Sequence, residues 1–294
     1  MSSISRRRML KSTIAGTALA SSSVSSMSWS QQKASTDASI QRKGHIRQSV
    51  SRWCYPQMSL DELCVYAAQI GLKGVDLLEP EDFETPKKHG LICTMGYVAA
   101  GTIPDALNVV ANHDKIEAGL RLNIPLAAKA GVPNVITFSG NRRGMSDEEG
   151  ARNVILGLNR VKKIAEDNNV VLCLELLNSK VNHIDYMGDH TAWGVAVMKE
   201  VNSPHVKLLY DIYHMQIMEG DLIATIQSNI QWIGHFHTGG VPGRHELNDK
   251  QEVQWDGVMR GIVETGFKGY VAHEFVPTGD PRASLLQAVD LCDV

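Results

Sequence analysis

The chain has 294 residues, of which 43% are hydrophobic and 21% charged, a composition typical of a folded globular protein. Its 29 lysines and arginines against 32 acidic residues give a formal net charge of −3, so it has no overall basic excess with which to hold a nucleic-acid backbone. Its 5 cysteines are scattered without a C-x-x-C pair, which excludes a disulfide framework and a zinc ribbon, and we expect buried free thiols.

The first residues of the chain form a candidate export signal. Paired arginines, Arg6 and Arg7, precede an uncharged stretch that ends in Ala18-Leu19-Ala20, a sequence of the form that signal peptidases cleave. The pattern over residues 1–20 resembles a twin-arginine signal, and it favours periplasmic or other exported localisation over the alternative, a basic disordered terminus. The stretch is too short and too rich in serine and threonine to span a bilayer, so we expect no stable membrane insertion.

Residues 21–43 are rich in Ser, Gln, Ala and Lys and carry no hydrophobic period, which predicts a disordered tether. The folded domain is therefore expected over residues 44–294. Roughly 250 residues is the usual size of an eight-stranded β/α barrel, so one domain accounts for the whole of this segment.

Short apolar runs alternate with longer segments of helical period along this domain, which is the order expected of a parallel sheet with crossover helices. An open doubly wound sheet would show the same alternation, but no Gly-x-Gly-x-x-Gly follows the first strand. We therefore predict an α/β fold, a single-domain (β/α)8 TIM barrel. Its candidate strands are Ile46–Arg52, Gly74–Leu78, Leu91–Met95, Asn134–Phe138, Val170–Leu177, Val206–Tyr210, Trp232–His237 and Tyr270–Phe275.

Two capping-box sequences predict where helices begin. Ser59-x-x-Glu62 and Ser146-x-x-Glu149 each place a glutamate three residues after a serine N-cap. After the second box, hydrophobic residues recur at helical spacing, which predicts one helix face packed on the barrel: Val154, Leu158, Val161 and Ala165. Glycines that follow three such segments predict left-handed helix ends, at Gly71, Gly131 and Gly266.

Four potential metal ligands stand at the ends of the last four predicted strands: Glu175, Asp211, His237 and Glu274. Each gap between them is about one βα unit, ~30 residues or more, so in a parallel barrel all four side chains emerge at the C-terminal mouth. Converging carboxylates repel one another unless a cation neutralises them, which predicts a divalent-metal site. One imidazole with three hard oxygen ligands suits Mn²⁺, Mg²⁺ or Co²⁺ better than structural zinc.

These residues, together with Asp211-x-x-His214 and the run Val241-Pro-Gly-Arg-His-Glu246, resemble the xylose-isomerase-like barrel superfamily, in particular its hydroxypyruvate isomerase and ketose 3-epimerase branches. The resemblance covers about residues 46–277. It implies a single divalent metal ion, Mn²⁺ in the first place with Mg²⁺ or Co²⁺ as alternatives, held by the four strand-end residues. It also implies that Glu175 and Glu274 serve as the catalytic acid/base pair.

Further residues are candidate substrate contacts. The resemblance implies that His214 and Arg244 contact the oxygens of the substrate, and a guanidinium suits a planar carboxylate or a phosphate. From its position alone, Arg244 is equally well a solvated loop residue. Trp53 follows the first strand and is expected to give the substrate site an apolar wall, whereas Glu79 and His113 follow the second strand or open a helix and are expected to reach the mouth. Phe138 is expected to pack in the core, His235 to be packed beside the site, and His183 to lie on the surface.

Two departures from the family bear on the substrate. Hydroxypyruvate isomerases commonly carry Gln where His237 stands, whereas ketose epimerases carry His. The segment Asn178-Ser179-Lys180 lacks the acidic residue that ketose epimerases carry a few positions further on. The sequence is therefore a mixture of the two branches and leaves the substrate open.

The residue types predict proton transfer through an enediolate. A metal bound to a carbonyl and its neighbouring hydroxyl stabilises the enediolate that forms when a proton leaves the α-carbon. Return of the proton to the adjacent carbon gives aldose–ketose isomerisation, and return to the opposite face gives epimerisation. We therefore predict an intramolecular isomerase, or a ketose 3-epimerase, that acts on a hydroxypyruvate-like compound or a ketose.

Three other functions remain open. An endonuclease-like metal phosphodiesterase would use Asp211-x-x-His214 in a multi-metal cluster, but it needs further ligands on the early strands and a basic groove. A glycoside hydrolase would use Glu175 and Glu274 as its carboxylate pair, which leaves Asp211 and His237 unexplained. An exported, non-catalytic sugar-binding protein would hold its metal for structure alone. The expected partners are small hydroxy-carbonyl or sugar molecules and no nucleic acid, with a homodimer or homotetramer left open.

Overall fold

Eight short strands form where the apolar runs occur in the computed structural model, which describes residues 40–98 and 100–294. Each strand pairs in parallel with the next, and β8 pairs with β1, so the sheet closes on itself. The predicted (β/α)8 TIM barrel is confirmed. The strands are β1 (Arg47–Ser51), β2 (Gly74–Leu78), β3 (Ile92–Gly96), β4 (Asn134–Thr137), β5 (Val171–Leu176), β6 (Val206–Asp211), β7 (Ile233–Thr238) and β8 (Tyr270–His273).

The predicted bounds of β2 match the observed ones, and those of the other strands differ by at most two residues at either end. The largest shift is at β8, which ends at His273 rather than at Phe275. Helices follow the strands and cover the outside of the barrel. Within the described residues they are α1 (Leu60–Gln69), α2 (His113–Ala130), α3 (Asp147–Asn168), α4 (Thr191–Val201), α5 (Ile212–Met218), α6 (Leu222–Asn229), α7 (Trp255–Glu264) and α8 (Pro281–Leu291).

Both predicted serine caps begin helices, but only one forms the complete capping box. At α1 the Ser59 hydroxyl accepts from the Glu62 backbone N–H, and the Glu62 carboxylate accepts from the Ser59 N–H in return. At α3 the Ser146 hydroxyl accepts from the Glu149 backbone N–H, and only this half of the box forms. At the other end of a helix, Gly131 terminates α2 with a φ of 73°, a left-handed conformation that glycine adopts without a Cβ clash.

The core has two layers of buried side chains. The predicted face of α3 is at most 1% exposed and packs on the outside of the barrel. A second cluster, with Met95, Ile136, Cys173 and Leu209 among its members, fills the interior below the mouth. The cysteines behave as predicted, since all five are buried and unpaired.

The described chain begins against the barrel rather than in a free tether. The Ile40 N–H donates to the Gln69 carbonyl (3.1 Å), Arg42 Nε donates to the Ile70 carbonyl (2.9 Å), and Lys43 N–H donates to Asp293. Contacts with the barrel therefore start a few residues before the predicted boundary at residue 44. The predicted export signal and most of the predicted tether lie outside the described residues. No helix in the described part is long and apolar enough to cross a membrane.

Candidate metal centre

The ends of β5, β6, β7 and β8 bring together the four residues whose spacing predicted a shared site. Glu175, Asp211 and His237 lie within the last two residues of their strands, and Glu274 follows β8 directly. Each offers a ligand atom, and these atoms all lie within 4.8 Å of one another. All four residues are buried, so the site is an enclosed cluster of three carboxylates and one imidazole.

The His237 ring shows how this cluster fits a divalent cation. Its Nδ1 lies 2.6 Å from Glu274 Oε2, 3.4 Å from Glu175 Oε1 and 4.0 Å from Asp211 Oδ2. Despite this crowding, Nδ1 makes no hydrogen bond of acceptable geometry. A buried polar atom without a partner is costly, and a nitrogen aimed at three carboxylate oxygens is the donor set of a metal ion. The residues present therefore fit a divalent cation.

The pKa shifts in the cluster reflect its excess of negative charge. Burial raises the pKa of Glu175 to about 7, and burial also raises the pKa of Asp211. Burial raises the pKa of Glu274 too, but Arg244 and His237 outweigh it, so this pKa lies below its ordinary value. Burial lowers the pKa of His237, yet the carboxylates around it, Glu274 first, hold it well above the usual range. The same negative field would attract a metal ion.

Arg244 is the protein's own cation at this site. Its Nη2 donates to Asp211 Oδ2 (2.6 Å) and to Glu274 Oε2, and its Nη1 lies 2.8 Å from His214 Nε2. The guanidinium carbon is 4.9 Å from the centre of the Tyr213 ring and 6.0 Å from that of Trp53. Its side chain is only 12% exposed, so the structure places Arg244 in the site and not in a solvated loop.

Two other predicted contacts also reach the centre. The His214 ring lies between two partners. The Asn178 backbone nitrogen is 3.1 Å from its Nδ1, and Arg244 contacts its Nε2. Burial, and then Arg244, hold the pKa of His214 well below its usual range, so its ring is neutral. Trp53 Nε1 donates to Glu274 Oε1 at 2.5 Å, while 48% of the residue remains exposed at the mouth.

A cavity of about 580 Å³ opens onto these residues. Glu175, Glu274, His214, Arg244 and Trp53 all line it. The cavity thus brings the predicted acid/base pair and three of the four predicted substrate contacts to one space.

The fourth predicted contact, His113, lies elsewhere. It begins α2, is 3% exposed, and its Nε2 lies 2.8 Å from the Leu107 carbonyl. Among the described residues it does not line the cavity. Because its ring turns toward the loop that precedes α2, His113 supports that loop instead of reaching the mouth.

Three further residues line the cavity: Glu79, Phe138 and His183. His183, expected on the surface, lines the cavity, and its ring centre lies 5.2 Å from that of His214. Phe138 packs in the core as expected, with 2% of the residue exposed, and it also lines the cavity. Glu79 reaches the mouth as expected. Glu79 and Phe138 directly follow β2 and β4, whereas His183 lies seven residues after the end of β5, in the loop before α4, where strand position gives no signal.

Asp76 is the residue that sequence reasoning missed. Its Oδ2 accepts from His237 Nε2 (2.8 Å) and lies 3.2 Å from His235 Nε2, and its Oδ1 accepts from the Thr94 hydroxyl (2.5 Å). Burial raises its pKa, but the two histidines outweigh burial and hold that pKa below its usual range. The Asp76 carboxylate thus pairs with both histidines without an ion, and it acts as the partner that orients His237. The sequence does contain a signal for Asp76, because it is the one charged residue in the otherwise apolar strand β2.

The chain resembles known proteins over most of its folded domain. A family model described as a xylose isomerase-like TIM barrel matches residues 64–292. Hydroxypyruvate isomerase from Escherichia coli is 26% identical over 233 residues, which cover 74% of this chain and 88% of that protein. D-psicose 3-epimerase from Agrobacterium fabrum is 32% identical over 124 residues, 42% of this chain and 41% of that protein. A human relative named for hydroxypyruvate isomerase is 30% identical over 117 residues, so the match spans 42% of its length.

Solved structures show the same architecture. An AP endonuclease of family 2 from Brucella melitensis superposes with a TM-score of 0.74 at 22% identity, over 82% of this chain and 96% of that one. The 3-keto-D-glucoside 4-epimerase from E. coli superposes with a TM-score of 0.69 at 18% identity, over 83% of this chain and 97% of that one. At these identities the likeness shows the barrel fold alone.

Proposed function

The chain belongs to the xylose isomerase-like TIM barrel family, and from that premise we propose that it is a metal-dependent isomerase or epimerase of a hydroxy-carbonyl compound. The observation that carries the proposal is the buried cluster of Glu175, Asp211, His237 and Glu274, in which a histidine nitrogen without a hydrogen-bond partner faces three carboxylates. Relatives named as a hydroxypyruvate isomerase and a D-psicose 3-epimerase support this class of reaction.

The four clustered residues would hold one divalent ion, for which the three oxygens and one imidazole nitrogen favour Mn²⁺, with Mg²⁺ or Co²⁺ as alternatives. When bound, such an ion supplies Lewis-acid stabilisation of the negative charge that develops on the carbonyl and hydroxyl oxygens of the substrate. Asp76 fixes the His237 ring from behind and leaves its Nδ1 turned toward the cluster.

Glu175 and Glu274 are the proposed acid/base pair. Burial raises the pKa of Glu175 to about 7 while no cation is bound, and a bound cation would lower it and leave Glu175 as the charged form that can accept a proton. Glu274 keeps its charge beside Arg244 and accepts a hydrogen bond from Trp53. One of the two removes the proton from the α-carbon to give the enediolate, and the same or the other residue returns it. The carbon and face that receive the proton decide between isomerisation and epimerisation.

His214 and Arg244 would position the substrate beside Glu175 and Glu274. Both line the cavity, and the neutral His214 ring and the charged Arg244 fork present hydrogen-bonding nitrogens to it. A guanidinium binds a carboxylate or a pair of neighbouring oxygens in a planar arrangement. Trp53 covers the mouth and, with its indole bonded to Glu274, limits the access of water to the proton-transfer pair.

Hydrogen exchange with solvent tests this proposal. Hydroxypyruvate and a panel of ketoses are incubated in deuterated buffer with the protein, with Mn²⁺ or with a chelator, and deuterium at the carbon next to the carbonyl is measured. We expect Mn²⁺-dependent incorporation into at least one compound, and a loss of about 100-fold or more in Glu175→Gln and in Glu274→Gln. The exposed substitution Glu252→Gln is the matched control and should change nothing. Absence of exchange into every compound, with metal demonstrably bound, would refute the catalytic function.

We also propose that the protein is exported by the twin-arginine route, a proposal supported by the pattern over residues 1–20. Replacement of both Arg6 and Arg7 by lysine should retain the protein in the cytoplasm, as measured by cell fractionation. The neighbouring substitution Arg8→Lys is the control. Equal export of the double variant and the unchanged protein would contradict the proposal.

A further inference from the structure

Leu77 has a backbone conformation that leucine rarely adopts, with a φ of 57°. The pairing of β2 with β3 shifts register on either side of Asp76, which makes a bulge at the end of β2. In a regular strand the side chains of Asp76 and Leu77 would point to opposite faces. Here Asp76 reaches the two histidines inside the barrel, and Leu77 lines the cavity at its mouth. The bulge thus re-aims Leu77 toward the cavity, and the strained backbone is the cost of that placement.

Leu77 is one member of an apolar wall. Leu77, Tyr97 and Ile103 are half-buried side chains of the β2 and β3 ends and the loop beyond. Ile136, Phe138 and Leu177, from the ends of β4 and β5, line the cavity beside them. Apart from Leu177, which follows the strand of Glu175, the wall belongs to β2, β3 and β4 and the loops after them, where Glu79 is, among the described residues, the one charged residue that lines the cavity.

The volume of the cavity limits which substrates would cover this wall. At about 580 Å³ it lies in the range of pockets that enclose ligands of some twenty or more heavy atoms. A three-carbon acid bound at Glu175 and Glu274 would leave the half-buried members of the wall, Leu77, Tyr97 and Ile103, in contact with water. A free monosaccharide held at the same two glutamates would fill only part of the cavity and would leave the far side of the wall uncovered. An apolar wall beside a polar reaction centre instead favours a substrate with a second, less polar portion.

We propose that the wall formed by Leu77, Tyr97, Ile103, Ile136, Phe138 and Leu177 is a subsite for a ring attached to the reacting sugar. The substrate class is then a hydroxy-carbonyl sugar of glycoside size, with its reacting carbons at Glu175 and Glu274 and its attached ring on the wall. The ring is either an aromatic group or the apolar face of a second sugar, both of which pack on a tyrosine or phenylalanine ring. This assignment deepens the proposed function and rests on it.

Binding of unreactive ligands tests the subsite separately from catalysis. The affinities of D-glucose, phenyl β-D-glucopyranoside and cellobiose are measured by calorimetry on the full chain with Mn²⁺ present. We expect at least one of the two ring-bearing ligands to bind about tenfold or more tightly than glucose, because the second ring is removed from water. Preference for the phenyl glucoside indicates an aromatic group, and preference for cellobiose indicates a second sugar. If neither binds better than glucose, the subsite is refuted, even where hydrogen exchange occurs.

Two substitutions locate the preference on the wall. Leu77→Gly removes the side chain while relieving the backbone strain, so it should keep or raise the thermal unfolding midpoint and abolish the tenfold preference. Ile103→Ser should reduce the preference without changing the affinity for glucose. Leu122→Ser, at a position 67% exposed on α2, is the matched control and should retain it. A preference that survives both wall substitutions would overturn the assignment. A ring preference without hydrogen exchange into a ring-bearing hydroxy-carbonyl sugar, with metal bound, would preserve the subsite and refute the catalytic function.

Discussion

His237 uses its two ring nitrogens for different partners. Nε2 lies 2.8 Å from the Asp76 carboxylate, and Nδ1 faces the three carboxylates at the barrel mouth. Because the buried, charged Asp76 holds a proton on the far nitrogen, the near nitrogen is the one that would lose its proton and give its lone pair to a cation. The sequence predicted His237 from its place at a strand end. It could not predict Asp76 as its partner, since β2 and β7 approach each other only when the barrel closes.

Asp76→Asn tests this dependence. The substitution preserves shape but removes the charge that orients His237, so we expect Mn²⁺ affinity to fall about 10- to 100-fold. Calorimetric titration measures the affinity, and thermal unfolding shows that the variant is folded. Asp249→Asn, at an exposed loop position, is the control. Equal Mn²⁺ affinity in Asp76→Asn and in the unchanged protein would contradict the positioning role.

Glu246 connects the loop after β7 to the loop after β8. Its carboxylate accepts hydrogen bonds from the Thr278 and Gly279 backbone N–H groups and from the Thr278 and Ser284 hydroxyls. Burial raises the pKa of Glu246, but these hydrogen bonds to the charged form outweigh burial and lower it to about 2. The residue therefore stabilises the loop that carries Arg244 only while it is ionised.

The stability contributed by Glu246 should depend on pH. Since its folded pKa is about 2 and its ordinary value is 4.5, the contribution is complete above about pH 4.5 and is lost as the pH falls toward 2. We expect Glu246→Gln to lower the free energy of unfolding by roughly 1–3 kcal/mol at pH 7, and the difference from the unchanged protein to shrink in acid. Denaturant unfolding at several pH values measures it. A difference that is constant from pH 7 to pH 3, or that also appears in the exposed control Glu252→Gln, would refute this account.

At the scale of elements, local sequence signals gave the starts of helices and the positions of strands. They did not give the bulge at the end of β2, because a register shift depends on how β2 pairs with β3 and not on the residues of β2 alone. The same limit applies to Phe138, directly after β4, and to His183, in the loop after β5, which line the cavity only once neighbouring strands and loops are in place. Local patterns thus predicted the elements, and pairing between strands decided which side chains meet.

The two serine caps allow a matched test of local stability. Ser59 exchanges hydrogen bonds in both directions with Glu62, whereas Ser146 only accepts one from Glu149. Replacement of either serine by alanine should lower the free energy of unfolding by about 0.5–2 kcal/mol, with Ser59→Ala toward the upper end. Chemical denaturation measures both variants. A larger loss in Ser146→Ala would contradict the difference between the two caps.

At the scale of the whole molecule, the net charge of −3 conceals an uneven distribution. Closure of the barrel gathers three carboxylates at one end and sets one imidazole and one guanidinium among them. The sequence predicted that these four side chains would meet, because each stands at the end of a strand and parallel strands end at one face. It could not predict the cavity's apolar side, which depends on loop conformations and on the strained backbone at Leu77.

The central claim is that these four strand-end residues bind one divalent cation, and the most direct measurement is an electron paramagnetic resonance titration with Mn²⁺. The account predicts one tightly bound ion per chain in the unchanged protein, and binding weaker by roughly tenfold or more in Asp211→Asn. Circular dichroism shows that the variant retains the fold. Absence of bound Mn²⁺ in the unchanged protein, or equal binding by the folded Asp211→Asn variant, would contradict the account.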